Sequence, residues 1–190
     1  MIRAYALTDP QYYGSDPKIL AQNVRVLLER KPCDYLCLRD KSNTNYALLA
    51  EAFMATCKEK NFSNMLLHTD VALAVKLGAF GVHLTSTQQH HIADAKAAGL
   101  FCVISTHTEA QILKATALGA DAVTYSPIFA TPGKGTPKGL EDLKEKTARI
   151  QTKIIALGGI VTNEQIAAVA AAGAFAFASI RYFVDASSFS

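Results

Sequence analysis

The chain lacks any long apolar run. Nowhere do about 18 uncharged apolar residues stand together, the length a membrane-crossing helix needs. The opening residues, MIRAYALTDP, hold no apolar core of a secretory leader. These absences lead to the expectation of a cytoplasmic protein with no membrane partner. Charge is scarce too: 18% of residues are charged and the formal net charge is +3. The positive residues form no block, basic helix or aromatic–basic stripe, which argues against nucleic acid as a partner. Four cysteines occur, Cys33, Cys37, Cys57 and Cys102. No second pair follows Cys33 and Cys37 at zinc spacing, so free, mostly buried thiols are expected. No G-x-G-x-x-G follows the first apolar run, which weakens a dinucleotide-binding reading.

What is present is alternation. Half of the 190 residues are hydrophobic, enough for one sizeable core, and residues 1–190 are read as one domain. Eight apolar runs of about six residues read as strands: 3–8, 34–39, 64–68, 80–85, 101–106, 121–126, 153–158 and 174–179. Most are apolar on both faces, as in a parallel sheet covered on both sides. Helical patterns separate them. Asp16–Pro17 opens one, Thr108 caps another, and Thr162 with Gln165 forms a capping box. Three times a helical pattern stops at a glycine (Gly78, Gly119, Gly173), and an alanine and a strand follow.

Eight strands alternating with helices fit a (β/α)8 TIM barrel or a doubly wound sheet, and the count favours the barrel. About ten residues remain after the last strand. The eighth helix is therefore expected to be short or missing, which leaves a flank that a second subunit would cover in a homodimer.

In such a barrel chemistry gathers where the strands end. The residues there are Arg39 and Lys41 after the second strand, His68 at the end of the third, and Ser105 and His107 at the fifth. The sixth leads into a Gly-rich flap with Thr131 and Lys134. Gly158 and Gly159 follow the seventh, and Ser179 and Arg181 mark the eighth. Glycines, hydroxyls and cations form a phosphate-binding inventory, with a possible short helix after the eighth strand adding its N-terminus. His107 is either a solvated loop residue or a proton carrier. Thr108 is the better cap, which frees it. His83 lies inside a strand and reads as packing or support, and His90 and His91 read as solvated.

The segments AYALTDP, CLRDK, LGAFGVHL, ISTHTEAQI, LGADAVTYSPIFATPGKG and IIALGGI, in this order, resemble the thiamin phosphate synthase and thiazole tautomerase family from residue 3 to about 183. The resemblance implies a (β/α)8 barrel, usually dimeric, acting on a small-molecule thiazole phosphate. Its synthase branch joins a pyrimidine pyrophosphate to that phosphate with magnesium. Its tautomerase branch uses a histidine, here His107, to move a proton on a carboxythiazole phosphate without a metal.

Against the synthase pattern, Cys37 stands in place of a glutamine. His68 and Thr69 replace Asn-Asp, with Asp70 one position late. Thr85, Ser86, Thr87 and Gln88 replace Gly-Gln-Glu-Asp. The magnesium carboxylates are missing or displaced, so the resemblance implies the tautomerase with no cofactor. His107 would be its acid and base. Arg39, Lys41, His68, Ser105, Thr131, Lys134, Gly158, Gly159, Ser179 and Arg181 would hold the substrate. The alternative is the magnesium-dependent synthase, with Asp70 as a metal ligand. A third reading is a non-catalytic module that binds a phosphate ligand.

Overall fold

The structure is a computed structural model that describes residues 2–41 and 43–184. Eight parallel strands close into a barrel in sequence order. They are β1 (Arg3–Leu7), β2 (Tyr35–Leu38), β3 (Met65–His68), β4 (Gly81–Leu84), β5 (Phe101–Thr106), β6 (Ala122–Tyr125), β7 (Lys153–Leu157) and β8 (Ala176–Ser179). All eight expected strands are present, most of them trimmed by a residue or two at their ends. Closure comes from β8 pairing with β1, Ala178 opposite Tyr5 and Ser179 opposite Ala6.

The pleat explains why these runs are apolar throughout. Successive side chains point to opposite faces. Tyr5, Leu7, Cys37, Leu66, Val103 and Ile155 fill the barrel interior. Ala6, Leu36, Leu38, Leu67, Val82 and Ile104 pack outward against the helices. A fully buried Leu or Ile contributes about 1.5–3 kcal/mol, so both faces stabilise the closed sheet.

The helices are α1 (Pro10–Tyr13), α2 (Pro17–Arg30), α3 (Tyr46–Glu59), α4 (Val71–Leu77), α5 (Ile92–Ala97), α6 (Glu109–Ala117), α7 (Gly139–Arg149) and α8 (Asn163–Ala171). In α2 the buried residues Leu20, Val24 and Leu27 fall on one face. Asp16 caps this helix by accepting from the backbone N–H groups of Lys18 and Ile19 at 2.9 and 3.1 Å. Thr108 caps α6, and the Thr162–Gln165 capping box opens α8. Gly78 ends α4 in the left-handed conformation at φ 66°, as expected of a glycine stop. The short helix α1, capped by Asp9, was not expected from the sequence.

After β8 the described chain makes one 3-10 turn, Arg181–Phe183. The short helix considered there is thus reduced to a single turn. Its Tyr182 N–H is already bonded to the Ser179 hydroxyl at 3.1 Å. Among the described residues, no helix is long and apolar enough to cross a membrane. The cysteines are free, with Cys33 half-buried and the other three buried.

Candidate active site

A cavity of about 950 Å³ opens at the C-terminal ends of the strands. Every residue named for the tautomerase reading from the sequence lines it: Arg39, Lys41, His68, Ser105, His107, Thr131, Lys134, Gly158, Gly159, Ser179 and Arg181. The βα topology explains the gathering, because each strand delivers its last residues to the same end.

His107 stands at the rim just beyond β5. Its Nδ1 lies 3.1 Å from the Ser126 carbonyl oxygen and 3.3 Å from the Ser126 hydroxyl. A carbonyl can only accept, so Nδ1 carries the proton and donates it. The Nε2 lone pair is then the basic site of the neutral ring. The backbone N–H of His107 donates to the Gln111 side chain at 2.7 Å, fixing the main chain as well.

Cations line the same cavity as this imidazole. Arg39 donates to Asp9 at 2.8 Å. Lys41, Lys134 and Arg181 take part in no salt bridge among the described residues. The Lys41 ammonium is pushed below its ordinary pKa by burial, then by Arg39 and Lys134. An arriving anion relieves that crowding. His68, 5% exposed, is pushed down to about 4 by burial first, then by Arg39 and Lys41. It therefore faces the cavity as a neutral imidazole at neutral pH.

The glycine pair after β7 forms another part of the cavity wall. Gly158 and Gly159 have φ of 101° and 70°, conformations that side-chain-bearing residues rarely adopt. A Cβ on Gly158 would meet the Pro127 Cα at 2.8 Å. One on Gly159 would meet the Ala130 carbonyl oxygen at 2.6 Å. The loop after β6 is thus seated on this pair, and the Phe129 N–H donates to the Gly158 carbonyl at 3.0 Å. The Thr131 hydroxyl donates to the Phe129 carbonyl at 3.0 Å, bracing the flap that carries Lys134.

Two expectations change. The Ser179 hydroxyl donates to the Ile160 carbonyl at 2.7 Å and accepts from the Tyr182 N–H. It is 5% exposed. Its side chain braces the β8 exit rather than reaching into the cavity. Asp70 is the N-cap of α4, accepting from the Leu73 N–H at 2.8 Å, and it does not line the cavity.

Magnesium, which the synthase branch uses, prefers oxygen ligands with carboxylates among them. The chain's donor set does not fit it. Asp70 caps a helix, and Asp9, the one carboxylate among the described lining residues, is paired with Arg39. The residues after β4 are neutral and tie to one another, Thr85 N–H donating to Gln88 Oε1 at 3.0 Å. Among the described residues, no three His, Cys, Asp or Glu side chains gather as a metal site.

Sequence reasoning passed over Ser126 and Asp9 as site residues. Ser126 acts through its carbonyl, for which no side-chain signal exists. Asp9 follows the first strand, where its position beside the cavity could have marked it.

Fold and cavity together define a (β/α)8 barrel with a histidine and a cationic, glycine-walled cavity at the C-terminal end of its strands. The family model for thiamine monophosphate synthase matches residues 4–183, and the chain belongs to that family. A relative from Aquifex aeolicus is 34% identical over 96% of this chain and 98% of its own. The thiamine-phosphate synthase of Methanoculleus marisnigri is 34% identical over 80% of this chain and 74% of its own. Thiamine phosphate pyrophosphorylase from Pyrococcus furiosus superposes with a TM-score of 0.78 at 22% identity, covering 94% of this chain and 85% of that one. That likeness supports the barrel fold.

Proposed function

We propose that the cavity isomerises a carboxythiazole phosphate by proton transfer, without a metal, in the manner of a thiazole tautomerase. The observation that carries this reading is the Nδ1–H of His107 donating to the Ser126 carbonyl at 3.1 Å. It leaves Nε2 as a base at the cavity rim. Nε2 takes a proton from the ring carbon that bears the carboxylate. The released electron pair moves into the ring, and the exocyclic double bond becomes single. Its outer carbon then takes a proton back from the imidazolium, so nothing is gained or lost overall. Gly158, Gly159 and Arg181 receive the phosphate, Lys134 on its Thr131-braced flap covers the substrate, and Arg39 with Lys41 completes the positive field.

The test mixes purified protein with the exocyclic isomer and follows its conversion to the aromatic thiazole by proton NMR, with and without chelator. Chelator-resistant turnover that disappears in His107→Ala is expected. Normal turnover in that variant would sink the reading.

The second reading is thiamin phosphate synthase, which the comparisons favour: the family model and the named Methanoculleus relative both carry that activity in their descriptions. Its test is coupling of the pyrimidine pyrophosphate to the thiazole phosphate with and without magnesium. Robust metal-dependent coupling would displace the isomerase reading.

A further inference from the structure

A buried polar string crosses the barrel interior and ends at the cavity, which His83 and Ser105 both line. Tyr5 on β1 is 1% exposed and His83 on β4 is 3% exposed. The Tyr5 hydroxyl lies 3.0 Å from His83 Nδ1, and His83 Nε2 lies 3.1 Å from the Ser105 hydroxyl. Ser105 sits on β5 at the cavity wall. Polar groups this deep are costly unless paired.

Each ring nitrogen of His83 faces a hydroxyl, so the string can run in either direction. Tyr5 decides between them because it has one proton and two neighbours. The other neighbour is the Cys37 sulfur, whose own proton goes to the Leu38 carbonyl. An imidazole nitrogen accepts a phenolic proton far better than sulfur does. Tyr5 therefore donates to Nδ1, Nε2 carries the hydrogen, and the Ser105 oxygen accepts it. The Ser105 proton is then left to point into the cavity.

We propose that Tyr5 and His83 are positioning residues that hold Ser105 as a hydrogen-bond donor toward the substrate's carboxylate. The inference rests on the isomerase reading above, in which the phosphate occupies the glycine wall. The carbon that loses its proton to His107 also bears the carboxylate. That group therefore lies near His107, and Ser105 precedes His107 by two residues, with both lining the cavity. A neutral His83 is required, since an imidazolium would donate from both nitrogens. Burial first, then His68, Arg39 and Lys41, hold its pKa well below the ordinary value.

Two measurements on the full chain test this. In histidine-labelled protein, nitrogen–proton correlation NMR is expected to show His83 protonated at Nε2 and bare at Nδ1, with a mixture of tautomers in Tyr5→Phe. A proton on Nδ1 in the unaltered protein would overturn the proposal. Calorimetry then compares binding of the thiazole phosphate with and without its carboxylate. Tyr5→Phe is expected to weaken the carboxylated ligand roughly 3–10-fold, about one hydrogen bond, and to leave the other unchanged. In a Ser105→Ala background it is expected to add nothing. An equal loss in that background would mean Tyr5 does not act through Ser105, and the proposal fails. If neither ligand binds the unaltered protein, the isomerase reading fails and with it the use made of Ser105. The His83 tautomer is still read independently in that case.

Discussion

At the N-terminal end of the barrel, two cations lie over aromatic rings. Arg3 is 4.8 Å from the Phe175 ring centre and donates to the Tyr35 hydroxyl at 2.8 Å. Lys153 lies 5.6 and 5.3 Å from the Phe101 and Phe175 rings. Tyr35, Phe80 and Phe101 pack ring to ring beside them. At the other end, Arg39, Lys41, Lys134 and Arg181 line an open cavity with a single carboxylate among the described lining residues. The same charges thus do different work. Below, exposed cations rest on aromatic rings in cation–π contacts of about 0.5–1 kcal/mol each. Above, positive charge is left without equal negative charge among the described lining residues, which is the setting the proposed anionic substrate would complete. The difference teaches that charge count locates nothing in this chain, whereas the partners of each charge do.

The largest effect that could break this contrast concerns the base at the upper end. His107→Ala is expected to lower turnover of the carboxythiazole isomer by about 10²–10⁴-fold, the usual range for general acid–base catalysis. Urea unfolding should barely change, since the ring is exposed at the rim. A matching loss at the lower end would have to be one of stability. Gly81 supplies it: a Cβ there would stand 2.2 Å from the Phe101 carbonyl oxygen. Gly81→Ala is expected to cost about 2–4 kcal/mol by urea denaturation, an overpacking penalty. The folded fraction should still bind thiazole phosphate with unchanged affinity. Altered affinity at the cavity would erase the division of labour.

How far the sequence reveals these two ends depends on the kind of signal. The strands were legible because burial on both faces leaves an apolar run, and β2 reads as YLCL for that reason. His107 was legible because a better cap, Thr108, follows it. Ser179 was misleading. It shares strand parity with Arg181, but its face is that of Phe177, which packs outward, and the 3-10 turn beyond breaks the alternation. Parity tells which residues share a face without telling which face is inside. The tautomer of His107 was invisible for another reason. It depends on the Ser126 carbonyl, brought alongside when the Ser126 N–H donates to the Thr106 carbonyl at 3.3 Å. Main-chain groups carry no residue identity, so only coordinates reveal that contact.

A smaller effect separates the two sets of cations. Lys134→Ala and Arg181→Ala are each expected to weaken thiazole phosphate roughly 3–10-fold at low salt, by calorimetry. The loss should shrink as salt is raised, because exposed charges are screened. Arg3→Met should leave affinity unchanged at every salt concentration. Equal losses from Arg3 and Arg181 would show a diffuse field instead of a local cradle.

A further predicted effect joins the ends through the interior and shows only in acid. His68 is neutral when folded, with its pKa pushed down from 6.5 to about 4 by burial, Arg39 and Lys41. Unfolded, it takes up a proton near 6.5. Between those values the unfolded chain binds more protons, so stability falls as pH falls. His83, lowered for the same first cause, adds to the slope in the same direction. Urea midpoints should therefore drop between pH 6.5 and 4, and His68→Gln should flatten part of that drop while leaving the midpoint at pH 8 close to its original value. A slope unchanged by the substitution would assign the acid sensitivity elsewhere. A midpoint lowered equally at every pH would mean that His68 contributes packing and no linked proton. In either case burial, with Arg39 and Lys41 beside it, would not be holding the His68 ring unprotonated in the folded protein.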